Sequence, residues 1–505
     1  MTQLAEQKKS YGQILKSTTI IGGSSVIEIF LRIIQAKAMA VLLGPAGVGL
    51  IGLYSSMVGL VGKIAGMGID TSGVRQIAEA AGSGDEMRIA RTTLTLSRVA
   101  VCMGVAGMLV LLLFRKPICQ VTFGNTEHVN AVALLSVTIL LATISGGQAA
   151  RIQGLRRIGD LARLKIWGAF FGMLSSIPLV YFFGEVGIAP FLVVVSIMGL
   201  LASWWYARKI PISKILMSWR EITSEAGALL RLGMIFMATG LITLGTLYCI
   251  RVIVLRQLGL EAVGLFQASS ALASVYVSFI LSAMAADFFP RLSAVANDNV
   301  SCNRMVNEQT EIGLLLAVPG ILATLTFAPY VIEIFYSTQF SPAVDILRWS
   351  ILGVLLRVAS WPMGFILLAK GKGNIFLCTE LSGNIVVIGL VLVLIHYFGL
   401  PGTGMAFFGL FVFYWVLIFA VVQRLSGFSW STANRRLVVM IVPAVTVVFL
   451  SVQLLPGVWG TLVGAIVTLL LGIYFLNLLR IAIGPEKLKE VFVQIKKRLH
   501  LPTLQ

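Results

Sequence analysis

Residues 24–43, SSVIEIFLRIIQAKAMAVLL, decide what kind of chain this is. The run is apolar enough to cross a bilayer, yet Glu28, Arg32 and Gln35 sit at i, i+4 and i+7, which is one face of a 3.6-residue helix. A charged side chain near mid-bilayer costs roughly 2.5–3.5 kcal/mol on insertion scales, so such a stripe belongs against water or a partner rather than lipid. Two readings stay open: the wall of a water-filled path, or a Glu28–Arg32 pair that only holds helices together. Lys37 points about half a turn away and is near enough to the helix end to snorkel.

Working outward, the whole chain has the same character. Of its 505 residues, 58% are hydrophobic and 12% charged, and the mean hydropathy is +0.94. That composition excludes a soluble globular domain and predicts an all-α polytopic membrane protein. The 50 glycines, spread through apolar runs, suit helices packed closely in lipid. The five cysteines, Cys102, Cys119, Cys249, Cys302 and Cys378, and the three histidines show no metal-ligand or disulfide spacing. No catalytic group, cofactor or metal site is expected. The basic N-terminus, without a cleavage site before a short apolar core, reads as a retained cytoplasmic end.

About fourteen apolar runs of span length follow one another, from 17–40 to 458–479. With the N-terminus inside, only three of the 39 basic residues fall in external connections: Arg115, Lys116 and Arg256. The expected orientation is therefore N-in and C-in, in a bacterial inner membrane. A net charge of +18 is then loop charge that sets topology; it does not imply nucleic acid. Residues 68–98 and 213–231 are polar enough to lie on the membrane surface as short amphipathic helices. After the last span, Leu488, Val491, Ile495 and Leu499 form an apolar stripe opposite Lys487, Lys489, Lys496, Lys497 and Arg498, a basic amphipathic tail on an anionic leaflet or a solvated one.

A repeat organises the spans. Leu43-Gly-Pro-Ala-Gly-Val-Gly-Leu50 matches Leu258-Gly-Leu-Glu-Ala-Val-Gly-Leu265, and Phe183-Gly-Glu-Val-Gly-Ile-Ala189 echoes Phe398-Gly-Leu-Pro-Gly-Thr-Gly-Met-Ala406. This predicts two six-helix lobes, 1–212 and 213–424, related by a pseudo-two-fold along the membrane normal, with an extra helix pair and tail in 425–505. Repeated halves place a transport site at their interface. In the eighth span Gln267, Ser270, Ser274, Ser278 and Ser282 make a polar seam, and the repeat puts Lys63 on the equivalent face. Small residues that merely permit packing are an equal reading of the serines. Arg357, mid-span beside Trp361-Pro362, and Arg251, a turn from Tyr248, complete the candidates. The binding set is Glu28, Arg32, Gln35, Lys63, Arg251, Ser274, Ser278 and Arg357.

Three further runs, Asp287-Phe-Phe-Pro-Arg-Leu-Ser-Ala-Val-Ala-Asn-Asp-Asn299, Val306-Asn-Glu-Gln-Thr-Glu-Ile-Gly313 and Trp361-Pro-Met-Gly364, together with the Gly44-Pro45-Ala46-Gly47 turn, carry a resemblance. Over about the first 424 residues the chain resembles the polysaccharide-transporter branch of the multidrug/oligosaccharidyl-lipid/polysaccharide (MOP) exporter superfamily, and within it the bacterial O-antigen repeat-unit translocases. The resemblance implies a flippase, not an enzyme, that moves an undecaprenyl-pyrophosphate-linked oligosaccharide to the periplasmic leaflet by alternating access. It implies cavity-lining cations, which here match Arg32, Lys63 and Arg251. It also implies membrane lipids, a glycan polymerase and a chain-length regulator as partners. The final helix pair departs from twelve-span translocases and is like the peptidoglycan-precursor flippases. A peptidoglycan-precursor flippase, a cation-coupled drug or metabolite exporter and a polytopic glycan polymerase are the alternatives. Basic residues outnumber acids at depth, which suits a pyrophosphate better than a cationic drug.

Overall fold

The computed structural model describes residues 2–483 apart from 213, 214, 216 and 456, and describes side chains outside 1–22, 276–280, 282–287, 479–483 and a few isolated positions. Among the described residues every regular element is helical. The chain is an all-α polytopic membrane protein. Ten described stretches are long and apolar enough to cross a membrane, and one of them, Ile158–Ala207, contains two helices. These stretches correspond to eleven of the about fourteen apolar runs anticipated above.

The chain divides into two compact units, Met1–Gln267 with Glu333–Phe340, and Ala268–Ile332 with Ser341–Gln505. The first holds α1 (Thr2–Gly66), α2 (Ile69–Gly82), α3 (Glu86–Leu113), α4 (Arg115–Phe123), α5 (Val129–Gly154), α6 (Ile158–Phe183), α7 (Ile188–Ala207), α8 (Trp219–Leu258) and the start of α9 (Leu260–Ala294). α1 is two helices joined at Gly44, whose φ of 63° breaks the helical path just before Pro45. Gly259, the residue that matches Gly44 in the repeat, also has a positive φ, 87°. Each glycine thus turns the chain from one span into the next.

The polar connections agree with the sequence reading in one case and differ in the other. Residues 69–82 do form a separate helix, whereas 219–231 are the first turns of α8, continuous with its apolar part. Ser218 starts that helix with a capping box: its hydroxyl accepts from the Glu221 N–H, and Glu221 accepts from the Ser218 N–H. That N–H holds the Glu221 carboxyl below its ordinary range. With no proline between Trp219 and Leu258, nothing stops the helix where the apolar span begins.

The core of this unit is packed from α1, α5, α6 and α7, through Leu50, Tyr54, Met57, Leu135, Ile139, Val180 and Ile188. Burying such a side chain contributes about 1.5–3 kcal/mol where water is the alternative. In lipid, close packing takes over that role.

The second unit holds the rest of α9, most of α10 (Asn299–Phe335), α11 (Ala343–Ala369), α12 (Gly373–Phe398), α13 (Pro401–Ser426), α14 (Thr432–Leu454) and α15 (Gly457–Ile483). The three runs that carry the resemblance converge in one cluster here. Phe288 and Leu292, Val306, and Met363 are fully buried together with Ile366, Ile418 and Phe428, and the Phe288 ring stacks 6.4 Å from that of Trp361. Lys370 ties the end of the first run down, donating to the Ala296 carbonyl and to Asn299 Oδ1, each at 2.6 Å. Asn307, in the second run, anchors α14: its Oδ1 accepts from the Ser431 N–H at 2.8 Å and from Asn434 Nδ2 at 3.0 Å.

Candidate functional site

Glu28 and Arg32 form an i,i+4 ion pair at 2.9 Å on α1, with the Arg32 side chain 68% exposed and Glu28 19%. One turn on, Gln35 donates to Ser176 Oγ of α6 at 3.0 Å, so the stripe has one member fixed to a neighbouring helix and one, Arg32, largely exposed. Lys37, on the other side of the helix, donates to the Glu333 carbonyl at 2.6 Å.

A second set lies where α1 packs on α8. Lys63 Nζ is 3.5 Å from Asp70 Oδ2 at the start of α2. Its stem lies against Gly240, where a Cβ would come within 2.8 Å of Lys63 Cε. Eleven residues further along α8, about 16 Å at 1.5 Å per residue, Arg251 is 7% exposed. Its Nη2 donates to Gln267 Oε1, while its Nε has no partner. Gly52 of α1 leaves the room that the Gln267 side chain fills. Lys63 and Arg251 are therefore two levels of one α1–α8 seam. Among the described residues, no hydrogen bond or ion pair joins Arg32 to either.

The remaining candidates belong to the second unit. Ser274 is exposed on α9; the side chain of Ser278 lies outside the described residues. Arg357 lines a cavity of about 300 Å³ between α11, α12 and α13, with its guanidinium 5.7 Å from the centre of the Phe411 ring. Two groups of that cavity went unnoticed in the sequence: Glu380, on α12, and Tyr414, on α13, whose hydroxyl donates to Glu380 Oε1 at 2.8 Å. A carboxylate near the start of an otherwise apolar span is a signal by itself, so Glu380 was findable. Tyr414 was not, because aromatic residues are common in such helices.

One polar cluster lies at the opposite end of the α1–α8 pair from Lys63. Tyr54 Oη is 2.9 Å from His128 Nδ1, and Arg256 donates to the Gln120 and Val121 carbonyls at the C-terminus of α4. Burial holds the His128 imidazole below its ordinary pKa, against the opposing pull of Glu127 and Glu185.

Polar and charged side chains held inside bundles of helices long and apolar enough to cross a membrane define a polytopic membrane protein. The sequence model described as polysaccharide biosynthesis protein matches residues 38–345, more than half of the chain, and the chain belongs to that family. The lipid III flippase of Escherichia coli (strain K12) is 23% identical over 415 residues, which cover 80% of this chain and 97% of the relative; that of Shigella flexneri aligns equally well. An inward-facing multidrug-resistance MATE transporter of the MOP superfamily has a TM-score of 0.69 at 15% identity, covering 79% of this chain and 94% of its own. The lipid II flippase MurJ, inward closed, has a TM-score of 0.68 at 12% identity, covering 93% of this chain and 99% of its own.

Proposed function

We propose that the protein is a flippase that moves an undecaprenyl-pyrophosphate-linked oligosaccharide, an O-antigen or related repeat unit, from the cytoplasmic to the periplasmic leaflet of the bacterial inner membrane by alternating access. It acts as a transporter and not as an enzyme, with both termini cytoplasmic. The observation that carries this reading is Arg251: a buried guanidinium with an unpartnered Nε, on the same seam as Lys63. A guanidinium fork pairs with two oxygens of a pyrophosphate, which lysine cannot do. Arg32, Lys63 and Arg251 are the cations that meet the head group, with Glu28 orienting Arg32 while the site is empty and Gln35 and the α9 serines Ser274 and Ser278 offering neutral contacts. A glycan polymerase and a chain-length regulator act downstream on the product.

The test is translocation of a fluorescent pyrophosphate-linked oligosaccharide in vesicles containing the purified protein. Arg251→Lys is expected to slow it about tenfold, the equivalent of about 1.4 kcal/mol, at unchanged protein level. An unchanged rate removes Arg251 from the site, and absence of translocation by the wild type removes the reading.

A second reading, a peptidoglycan-precursor flippase, is favoured by one fact: the likeness to the lipid II flippase extends over 93% of this chain, against 79% for the MATE transporter. Offering both lipid-linked substrates to the same vesicles separates the two.

A further inference from the structure

The cavity around Arg357 is built by one unit alone, from α11, α12 and α13. Its volume of about 300 Å³ is at the small end of the range of about 300–1,000 Å³ for ligand pockets. Trp361, Phe411 and Tyr414 stand on its walls, and Arg357, Glu380 and Asn384 bring polar atoms to it. The polar groups are held by neighbours in ways that leave bonding capacity. Tyr414 occupies one oxygen of Glu380, and the other is left to accept. Asn384 Nδ2 donates to the Glu380 backbone carbonyl at 2.8 Å, and its own Oδ1 is left to accept. The Arg357 guanidinium lies 5.7 Å from the centre of the Phe411 ring, and among the described residues none of its N–H groups donates a hydrogen bond. Among the described residues no carboxylate is ion-paired to it.

Those leftovers select a class of ligand. An isoprenoid chain in this space would leave the Arg357 donors, the second Glu380 oxygen and Asn384 Oδ1 buried without partners, at several kcal/mol in total. A metal cation would meet the Arg357 charge, and a pyrophosphate would meet the Glu380 charge. A pyranose ring fits both halves of the cavity. Its C–H face packs on aromatic rings, and its rim of hydroxyls donates to carboxylate and amide oxygens and accepts from guanidinium N–H groups. A planar guanidinium spans two adjacent hydroxyls, the free Glu380 oxygen accepts from one, and the volume admits one ring rather than a chain.

We propose that the α11–α13 cavity is a saccharide subsite, which holds one pyranose ring of the transported glycan on the aromatic wall with its hydroxyls bonded to Arg357, Glu380 and Asn384. The proposal rests on the flippase reading and gives Arg357 a different task from Arg32, Lys63 and Arg251: it meets the sugar and not the pyrophosphate. A pocket that grips one ring lets the protein sense the glycan separately from the lipid head.

The experiment is saturation-transfer NMR on the full-length protein in lipid nanodiscs, with methyl glycosides of hexoses and of N-acetylhexosamines as probes. Transfer to the ring C–H protons of at least one glycoside is expected from the wild type, with binding weakened about tenfold, or about 1.4 kcal/mol, in Trp361→Leu and in Glu380→Gln. Asn384→Ala, a milder truncation, guards against misfolding, and all three variants are compared at matched thermal unfolding midpoints. No transfer from any glycoside, or transfer that is equal in the wild type and all three variants, overturns the subsite. Translocation of the lipid-linked oligosaccharide is scored separately in vesicles. Translocation without glycoside contact overturns the subsite and leaves the flippase reading intact; glycoside contact without any translocation supports the saccharide site and removes the flippase reading.

Discussion

Gly49 of α1 and Gly264 of α9, which match each other in the two copies of the repeated octet, pack against one another in the first unit. A Cβ on Gly264 would run into the Pro45 carbonyl, and a Cβ on Gly49 into the Leu260 carbonyl. The repeat therefore does two things at this point. It gives each copy the same turn, through Gly44 and Gly259 with φ of 63° and 87°, and it lets the helices that follow those turns touch backbone to backbone. The other matched turn repeats in the same way, with Gly184 at 56° and Gly399 at 63°.

Gly264→Ala is expected to destabilise the protein by about 1–3 kcal/mol, the usual range for overpacking, because the atoms it meets are backbone and cannot rotate away. Gly59→Ala, on the same helix as Gly49 but with no atom within 4 Å of the added methyl, is the control and is expected to be silent. Thermal unfolding midpoints of the two variants in one detergent make the comparison. Equal midpoints would show that the α1–α9 contact is looser than described.

How much of this was legible beforehand depends on whether both partners lie on one helix. The Glu28–Arg32 pair follows from spacing alone, and the structure closes it at 2.9 Å. The capping box at Ser218 and Glu221 was equally readable, yet 213–231 was expected to stand apart, because hydropathy marks where a membrane begins and not where a helix does. Contacts between helices were out of reach. Nothing in the sequence pairs Gln35 with Ser176, Arg251 with Gln267 across the following turn, or Tyr414 with Glu380, since periodicity assigns a residue to a face without naming what that face meets. The cavity of the second unit was half found for that reason: Arg357 and Trp361 share a helix, whereas Glu380 and Tyr414 come from two others.

Arg32→Ala is expected to abolish translocation while leaving stability nearly unchanged. The side chain is 68% exposed, and an exposed ion pair contributes about 0–1 kcal/mol. Protein level and unfolding midpoint should match the wild type within that margin, so the loss is read as loss of a head-group contact. Arg32→Lys should restore part of the rate, as it keeps the charge without the fork. Full translocation by the alanine variant would leave the ion pair as a helix brace only.

His128 gives a pH dependence with a defined sign. Burial lowers its pKa from the ordinary 6.5, with Glu127 and Glu185 pulling the other way, so the folded form favours the neutral ring, which can accept from the Tyr54 hydroxyl. A group whose folded pKa is depressed contributes stability that is fully present above the unfolded value, and loses it as pH falls from there through the folded value. The unfolding midpoint is expected to be flat above pH 6.5 and to drop below it, and His128→Gln should flatten the acid side. An acid limb of the same slope in the variant would assign it to other groups.

Asn307 is expected to be the residue on which the attachment of α14 to α10 depends. Asn307→Leu removes the side-chain acceptor of the Ser431 N–H and the donor to the Ser429 carbonyl, while Asn434 Nδ2 keeps the Asn307 backbone carbonyl, so the expected cost is about 1–3 kcal/mol. The measurable result is a lower unfolding midpoint together with faster proteolysis in the 427–431 connection. A variant cleaved no faster than the wild type would mean that apolar packing holds α14 by itself.

The last prediction concerns what drives transport. A pyrophosphate with about two negative charges, leaving a cytoplasm that is electrically negative, gains roughly 2.3 kcal/mol per charge per 100 mV if it crosses the whole field. The sum, about 4–5 kcal/mol, exceeds the 1–3 kcal/mol typical of allosteric coupling. The return step is helped as well if the proposed site holds Arg32, Lys63 and Arg251 against Glu28 and Asp70, because a net positive site is drawn inward. Membrane potential alone is therefore expected to run both halves of the cycle. In vesicles, collapsing the potential while holding the proton gradient should stop translocation, whereas collapsing the proton gradient at constant potential should leave it running. The reverse pattern would assign the drive to proton exchange, for which Glu28, the acidic member of the α1 stripe, is the first carboxylate to replace with glutamine.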